Sequence, residues 1–248
     1  MLDCYIINLD RAKERWASVA TKFSPLGFNV IRVPGVEGKM VTLPCENVSP
    51  WKYFFFYGRP LSYGAIGCYL SHIKALKLFL DSGKDHALIC EDDVTPIPEL
   101  PEIIQESMKY ADRWDLLRLN GLKQPPAIAF AKLGDGFELC SDLKYTSCTG
   151  GMIVNRFAAQ RIIEKLLPMK MPYDVALYYD WPIGIREASV NPYPIQFKDN
   201  FESCIGVTAR YPVLHPAICR YITVIPYRIL SRLFRLRYRK WFARKQAG

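Results

Sequence analysis

His86-Ala87-Leu88-Ile89-Cys90-Glu91-Asp92-Asp93 is an apolar run that ends in three consecutive carboxylates. A short apolar run bounded by polar residues reads as a buried strand, and in open α/β sheets ligands gather beyond the carboxyl ends of strands. Side chains alternate along an extended chain, so Glu91 and Asp93 are expected to share one face while Asp92 points away. Like charges so close are unfavourable unless a cation or hydrogen-bond donors neutralise them, and hard oxygen ligands suit Mg²⁺ or Mn²⁺. The plain alternative for a bare acidic triplet is a solvated turn; the buried strand ahead of it favours a metal site.

Working outward, residues 64–80 form a mostly apolar helix ahead of this strand, carrying Leu70, Ile73, Ala75, Leu76, Leu78 and Phe79. At the start of the chain, residues 4–9 read as a strand, 11–23 as a helix with apolar Trp16, Val19, Ala20 and Phe23, and 29–33 as a second strand. A β-α-β opening of this kind suits a nucleotide-binding half-fold. Residues 42–60 hold Pro44, Pro50 and the aromatic run from Trp51 to Tyr57, which reads as a long irregular connection. Beyond the carboxylates come a proline-bounded loop, a helix over 102–110, a strand over 114–119, Thr149-Gly150-Gly151 leading into apolar Met152-Ile153-Val154, and a helix over 158–167.

With 248 residues, half of them apolar, the chain is long enough to bury a substantial core. Its formal charge of +9 is unevenly placed: beyond Glu202 there are ten Lys and Arg and no acidic residue, leaving 23 basic against 24 acidic residues in the rest. The body is therefore near neutral, which removes the main support for a nucleic-acid-binding core. From Pro226, Tyr227, Leu230, Phe234, Tyr238 and Trp241 recur at spacings of three and four beside Arg228, Arg232, Arg235 and Arg239. That pattern fits an amphipathic helix on an anionic lipid surface; the plain alternative is a helix docked on the domain, which also needs an apolar stripe. The eight cysteines lack a CxxC pair and several sit in apolar runs, as thiols in a reducing compartment do. Met1 leads almost directly into the first strand, with no secretory leader and no apolar stretch near the roughly 18 residues needed to span a bilayer. The expectation is a cytoplasmic protein, peripheral on the inner face of the membrane.

Read together, three motifs resemble glycosyltransferase family 25, the group that includes lipooligosaccharide galactosyltransferases. Ile6-Ile7-Asn8-Leu9-Asp10-Arg11 with Arg15 is similar to the family's opening strand and turn. Leu61-Ser62-Tyr63-Gly64-Ala65-Ile66-Gly67-Cys68-Tyr69-Leu70-Ser71-His72 resembles its LSxGEIGCxLSH signature, and residues 87–94 resemble its ALIxEDDV strand. Thr149-Gly150-Gly151 and Pro172-Tyr173-Asp174 match shorter motifs. Ala65 stands where the family usually carries Glu, and Met152 where an aromatic is common, departures that bear on donor or acceptor specificity.

The resemblance implies an α/β chain of GT-A type with a mostly parallel central sheet over residues 1–215, and a basic amphipathic tail over 216–248. It implies inverting transfer of a sugar, galactose by family weight, from a UDP-sugar to the saccharide of a lipooligosaccharide or lipopolysaccharide. Glu91 and Asp93 are the expected ligands of Mn²⁺ or Mg²⁺. Asn8, Asp10, Arg11, Arg15, His72, Glu91 and Asp92 are expected around the nucleotide sugar, since an Asn can pair with a base edge and an Arg can bind phosphate. Inversion needs a carboxylate base; Asp174 is the first candidate and Asp180, before Trp181-Pro182, the second. Two competing readings are a metal-dependent phosphohydrolase, which also uses paired carboxylates, and a non-enzymatic membrane- or nucleic-acid-binding module working through the basic tail.

Overall fold

The computed structural model describes residues 2–144, 146–178, 183–197 and 220–247. Strand β1 (Asp3–Asn8) leads into helix α1 (Lys13–Phe23) and strand β2 (Asn29–Pro34). Helices α2 (Pro50–Tyr57) and α3 (Tyr63–Asp81) follow, then β3 (His86–Glu91), β4 (Val94–Pro96) and α4 (Leu100–Met108). Next come β5 (Leu116–Arg118), the hairpin β6 (Ala127–Gly134) and β7 (Phe137–Asp142), β8 (Gly151–Asn155), α5 (Arg156–Leu166) and α6 (Tyr173–Tyr178). The last elements are β9 (Glu187–Asn191), β10 (Ile195–Phe197) and, after a π-type turn over Arg220–Val224, helix α7 (Ile225–Ala247).

Eight strands form one sheet in the order β2-β1-β3-β8-β5-β9-β7-β6, and β10 pairs with β4 in a separate ribbon. The sheet is mixed. β1 runs parallel to β2 and β3, as the β-α-β opening requires, and β5 runs parallel to β9, whereas β8 and the β6–β7 hairpin run antiparallel to their neighbours. The expected, mostly parallel sheet is thus parallel across β2-β1-β3 and between β5 and β9, and antiparallel where β8 and the β6–β7 hairpin enter. β1 and β3 are buried over almost their full length because helices cover both faces, which is why their sequences are continuous apolar runs.

One face of the sheet packs against α3, α5 and α6, with Ile66, Tyr69, Ile73, Leu76 and Phe79 of α3 at its centre. The other packs against α1 and α4 through Val19, Phe23, Leu100, Ile103 and Ile104. Spacings of three and four put the α3 residues on one side of that helix, and burying each contributes about 1.5–3 kcal/mol.

Two local expectations are corrected. The segment read as an irregular connection contains α2: the Ser49 side chain accepts from the Lys52 N–H, Pro50 opens the helix, and Gly58 closes it in the left-handed conformation. The first helix begins at Lys13 rather than at residue 11, so Arg11 lies in the turn before it.

Candidate active site

The carboxyl ends of β1 and β3 lie side by side because Ile7 pairs with Glu91 in the parallel ladder. Alternation along β3 stops at Glu91, its last residue, and Asp92 and Asp93 fall in the turn toward β4. Asp92 accepts from Asn8 Nδ2 at 2.6 Å and from Arg15 at 3.2 Å, and the same Arg15 lies 3.8 Å from Asp93. Asp92 and Asp93 therefore share a cation, which corrects the expectation that Asp92 points away from the other two. Glu91 turns instead toward α3.

There the signature helix supplies the partner. His72 is buried, with Nε2 3.1 Å from Glu91 Oε1 and 3.2 Å from the Thr149 hydroxyl, while that hydroxyl donates to Glu91 at 3.0 Å. The imidazole lies flat on Tyr173, with ring centroids 4.4 Å apart at 12°. Burial alone drives the Glu91 pKa up, but the His72 and Thr149 hydrogen bonds and the Arg15 charge outweigh it and hold the carboxyl below its usual range. The signature's small residues serve the packing of α3. A Cβ on Gly67 would stand 2.6 Å from the Val36 carbonyl, and Ser71 accepts from the Val36 N–H while donating to the Gly67 carbonyl.

Asp93 has the opposite character. Burial first, then the charges of Glu91 and Asp92, push its pKa up to about 7. Its Oδ1 is buried without a hydrogen-bond partner. An orphaned carboxylate oxygen facing two more carboxylates fits a hard divalent cation, which would supply the missing positive charge. Asp93 and Glu91 would hold it. Cys68, His72 and Glu91 also place a sulfur, a nitrogen and an oxygen within 4.8 Å of one another, a donor set for a softer ion. Each set holds one buried ligand atom without a hydrogen-bond partner, Asp93 Oδ1 in the oxygen set and His72 Nδ1 in the other; the unpaired atom of the oxygen set belongs to a carboxylate crowded by two more, the stronger demand for a cation.

Beside the carboxylates, a cleft of about 350 Å³ is lined by Asn8, Asp10, Lys13, Trp16 and Arg32. Asn8 does not present its amide there: Nδ2 donates to the Ala12 carbonyl and Asp92, and Oδ1 accepts from Arg32. It braces the strand ends. Asp10, largely exposed, pairs with Arg32 at 2.7 Å, and the Arg32 guanidinium lies 5.9 Å from the Trp16 ring. Arg11 turns to Glu37 at 2.7 Å and is not among the cleft residues. Lys13, Trp16 and Arg32 went unread as site residues because Trp16 sits in an apolar period and Arg32 inside a strand, where neither pattern signals a ligand.

Asp174 lies in the first turn of α6, next to the Tyr173 that supports His72, and accepts from the Cys148 N–H at 3.4 Å. Cys148 has a φ of 99°, a costly conformation for a residue with a side chain, and its carbonyl accepts from buried Arg118. The Thr149-Gly150-Gly151 segment is thus held between Asp174, Arg118 and β3, and the Gly150 carbonyl accepts from the Glu91 N–H. A Cβ on Gly150 would meet Asn120 at 2.6 Å, so this glycine permits packing against protein. Asp180 lies outside the described residues.

Comparison with known proteins adds a family to this geometry. The profile of Glycosyltransferase family 25 (LPS biosynthesis protein) matches residues 1–177. A Glycosyltransferase 25 family member of Anopheles gambiae is 28% identical over 180 residues, covering 66% of this chain and 30% of that protein. Procollagen galactosyltransferase 2 of Homo sapiens is 25% identical over 181 residues, covering 67% of this chain and 29% of that protein. The chain thus spans about 30% of the length of these curated relatives. Among solved structures, a glycosyltransferase involved in the glycosylation of the major capsid of PBCV-1 superposes with a TM-score of 0.44 at 12% identity, over 81% of this chain and 94% of that one.

Proposed function

Because the chain belongs to glycosyltransferase family 25, we propose that it is an inverting, metal-dependent enzyme of GT-A type. In this reading it moves galactose from UDP-galactose to the saccharide of a lipooligosaccharide or lipopolysaccharide at the cytoplasmic face of the membrane, with residues 1–215 as the catalytic unit. The observation that carries this reading is the orphaned Asp93 oxygen beside Glu91, at the strand end that borders the Asn8–Arg32 cleft. The galactosyl donor is supported by relatives named procollagen galactosyltransferases.

A divalent cation held by Asp93 and Glu91 would neutralise charge that develops on the departing diphosphate. Arg15, already poised between Asp92 and Asp93, adds a second positive charge for the phosphates. The cleft walled by Trp16, Lys13 and Arg32 has the aromatic and cationic groups to receive the nucleotide. His72 and Thr149 orient the Glu91 carboxylate, so that its geometry is set before substrate arrives. Asp174 takes the proton of the acceptor hydroxyl, the step an inverting displacement requires of a carboxylate. A panel of nucleotide sugars, with and without Mn²⁺, tests the reading by donor binding and slow donor hydrolysis. One donor, dependent on the cation, is the expected result; no donor across the panel overturns it.

A further inference from the structure

The exposed large apolar side chains are concentrated in two segments far apart in sequence. Trp51 and Phe55 protrude from α2, and Tyr221, Ile222, Ile229, Leu230, Leu233 and Leu236 protrude from the π-type turn and α7, whereas Met40, Leu78, Leu122 and Phe157 come singly from other elements.

The two segments are joined. Thr223 donates to the Phe55 carbonyl at 2.6 Å, the Phe56 and Tyr227 rings meet edge to face at 5.5 Å, and Arg228 donates to the Tyr57 carbonyl at 3.4 Å. Docking uses the side of the turn and helix that carries Val224, Tyr227, Arg228 and Ser231, of which Val224 and Ser231 are buried. The opposite side carries Ile222, Ile229, Leu233 and Leu236 at helical spacing, more than 40% exposed in each case. The stripe expected from Tyr227 is therefore split: Tyr227 packs on the domain, Leu230 and Phe234 are exposed beside Ile229, Leu233 and Leu236, and the side chains of Tyr238 and Trp241 lie outside the described residues.

Charge selects the occupant. Residues 47–80 contain no Asp or Glu, nor do residues 203–248. Lys52, Arg59, Arg232 and Arg237 are exposed in these two acid-free segments. A surface in which aromatic and aliphatic side chains alternate with exposed cations matches the interface of an anionic bilayer.

We infer that α2 and α7 together form one membrane-docking face for anionic phospholipid, with Trp51 and Phe55 inserting beside the outward row of α7. The helix is then both docked on the domain and membrane-bound, which fixes the orientation of the catalytic domain on the bilayer. This names a partner for the proposed glycolipid transferase and rests on that reading only for its purpose, since lipid binding is measured without substrate.

The experiment is co-sedimentation of the full chain with phosphatidylglycerol and with phosphatidylcholine vesicles, at low and high salt. Wild type binds the anionic vesicles, and high salt releases it. The double substitution Trp51→Ser/Phe55→Ser weakens that binding roughly ten-fold, as loss of two inserted aromatic groups requires. Arg232→Glu weakens it by at least about five-fold for the lost charge. Thermal melting and donor hydrolysis unchanged in both variants establish that the domain is intact; if the α2 variant melts early, Trp51→Tyr/Phe55→Tyr replaces it and must retain binding. Binding unaffected by the α2 substitutions, or equal on neutral lipid, overturns the proposal. So does a dimer in sedimentation velocity that the same substitutions dissociate, which would make the occupant a second copy. Failure of lipid binding with donor hydrolysis intact leaves the transferase reading standing, and lipid binding without any donor overturns only the latter.

Discussion

His72 Nε2 lies 3.1 Å from Glu91 Oε1, joining the middle of α3 to the last residue of β3. This contact makes the signature helix part of the carboxylate site. His72→Phe keeps the aromatic stack on Tyr173 but removes the donor, leaving Glu91 with Thr149 as its neighbour on that side. Mn²⁺ affinity is expected to fall about 10–100-fold, the usual cost of losing a group that orients a ligand, with the melting temperature little changed. Titration calorimetry with Mn²⁺ checks it; an unaltered affinity assigns His72 to packing alone.

Asp93→Asn removes the carboxylate whose oxygen has no protein partner. Its charge repulsion with Glu91 and Asp92 also disappears, so the fold is retained or slightly stabilised. Transfer is expected to drop on the order of 10²–10³-fold, and the residual rate should no longer respond to a chelator. Wild-type turnover in this variant would remove Asp93 from the site.

Asp174→Asn separates the base from the donor site. Donor binding is expected to remain while transfer falls about 10²–10⁴-fold, the range for loss of a general base. Weaker donor binding with normal turnover at saturation would instead place Asp174 beside the nucleotide.

Gly67→Ala sets two effects against each other. In an open helix the change stabilises by up to about 1 kcal/mol through backbone propensity, but here the new methyl would stand 2.6 Å from the Val36 carbonyl. Overpacking of this kind costs about 1–3 kcal/mol, so net destabilisation is expected in urea melts. A gain in stability would show that the loop after β2 yields freely.

Asp115 provides a pH test away from the site. Burial opposes its charge, yet hydrogen bonds from the Arg186 side chain and backbone and from Asn155 hold its pKa below 3.8. A carboxyl depressed in the native state stabilises the fold above the unfolded value and loses that contribution as pH falls through the native one. Asp115→Asn is therefore expected to cost about 1–3 kcal/mol at pH 7. The gap from wild type should close as pH drops below 3.8. Urea midpoints for both proteins at pH 7 and pH 3.5 measure the difference, and a gap that widens on acidification would refute the assignment.

The sequence by itself determined what depends on neighbours along the chain. The period of the apolar residues marks β1, α1, β2, α3 and β3, and the place where the β3 run meets Glu91-Asp92-Asp93 puts charge at a strand end. The tail's basicity is likewise readable without coordinates. α2 is marked by Ser49, Pro50 and Gly58, but six aromatic residues in eight positions obscure its period. Tertiary structure alone decided the partners. That Glu91 meets His72 and Thr149, and that Asn8 holds Asp92, follow from bringing residues 19 to 84 positions apart into contact. The mixed order of the sheet depends on which strand β8 chooses, a matter of packing on both faces. The tail shows the limit most plainly: its apolar residues recur at helical spacing whichever way the helix turns, and only the aromatic residues of α2, by taking Tyr227, determine which of them are covered and which face outward.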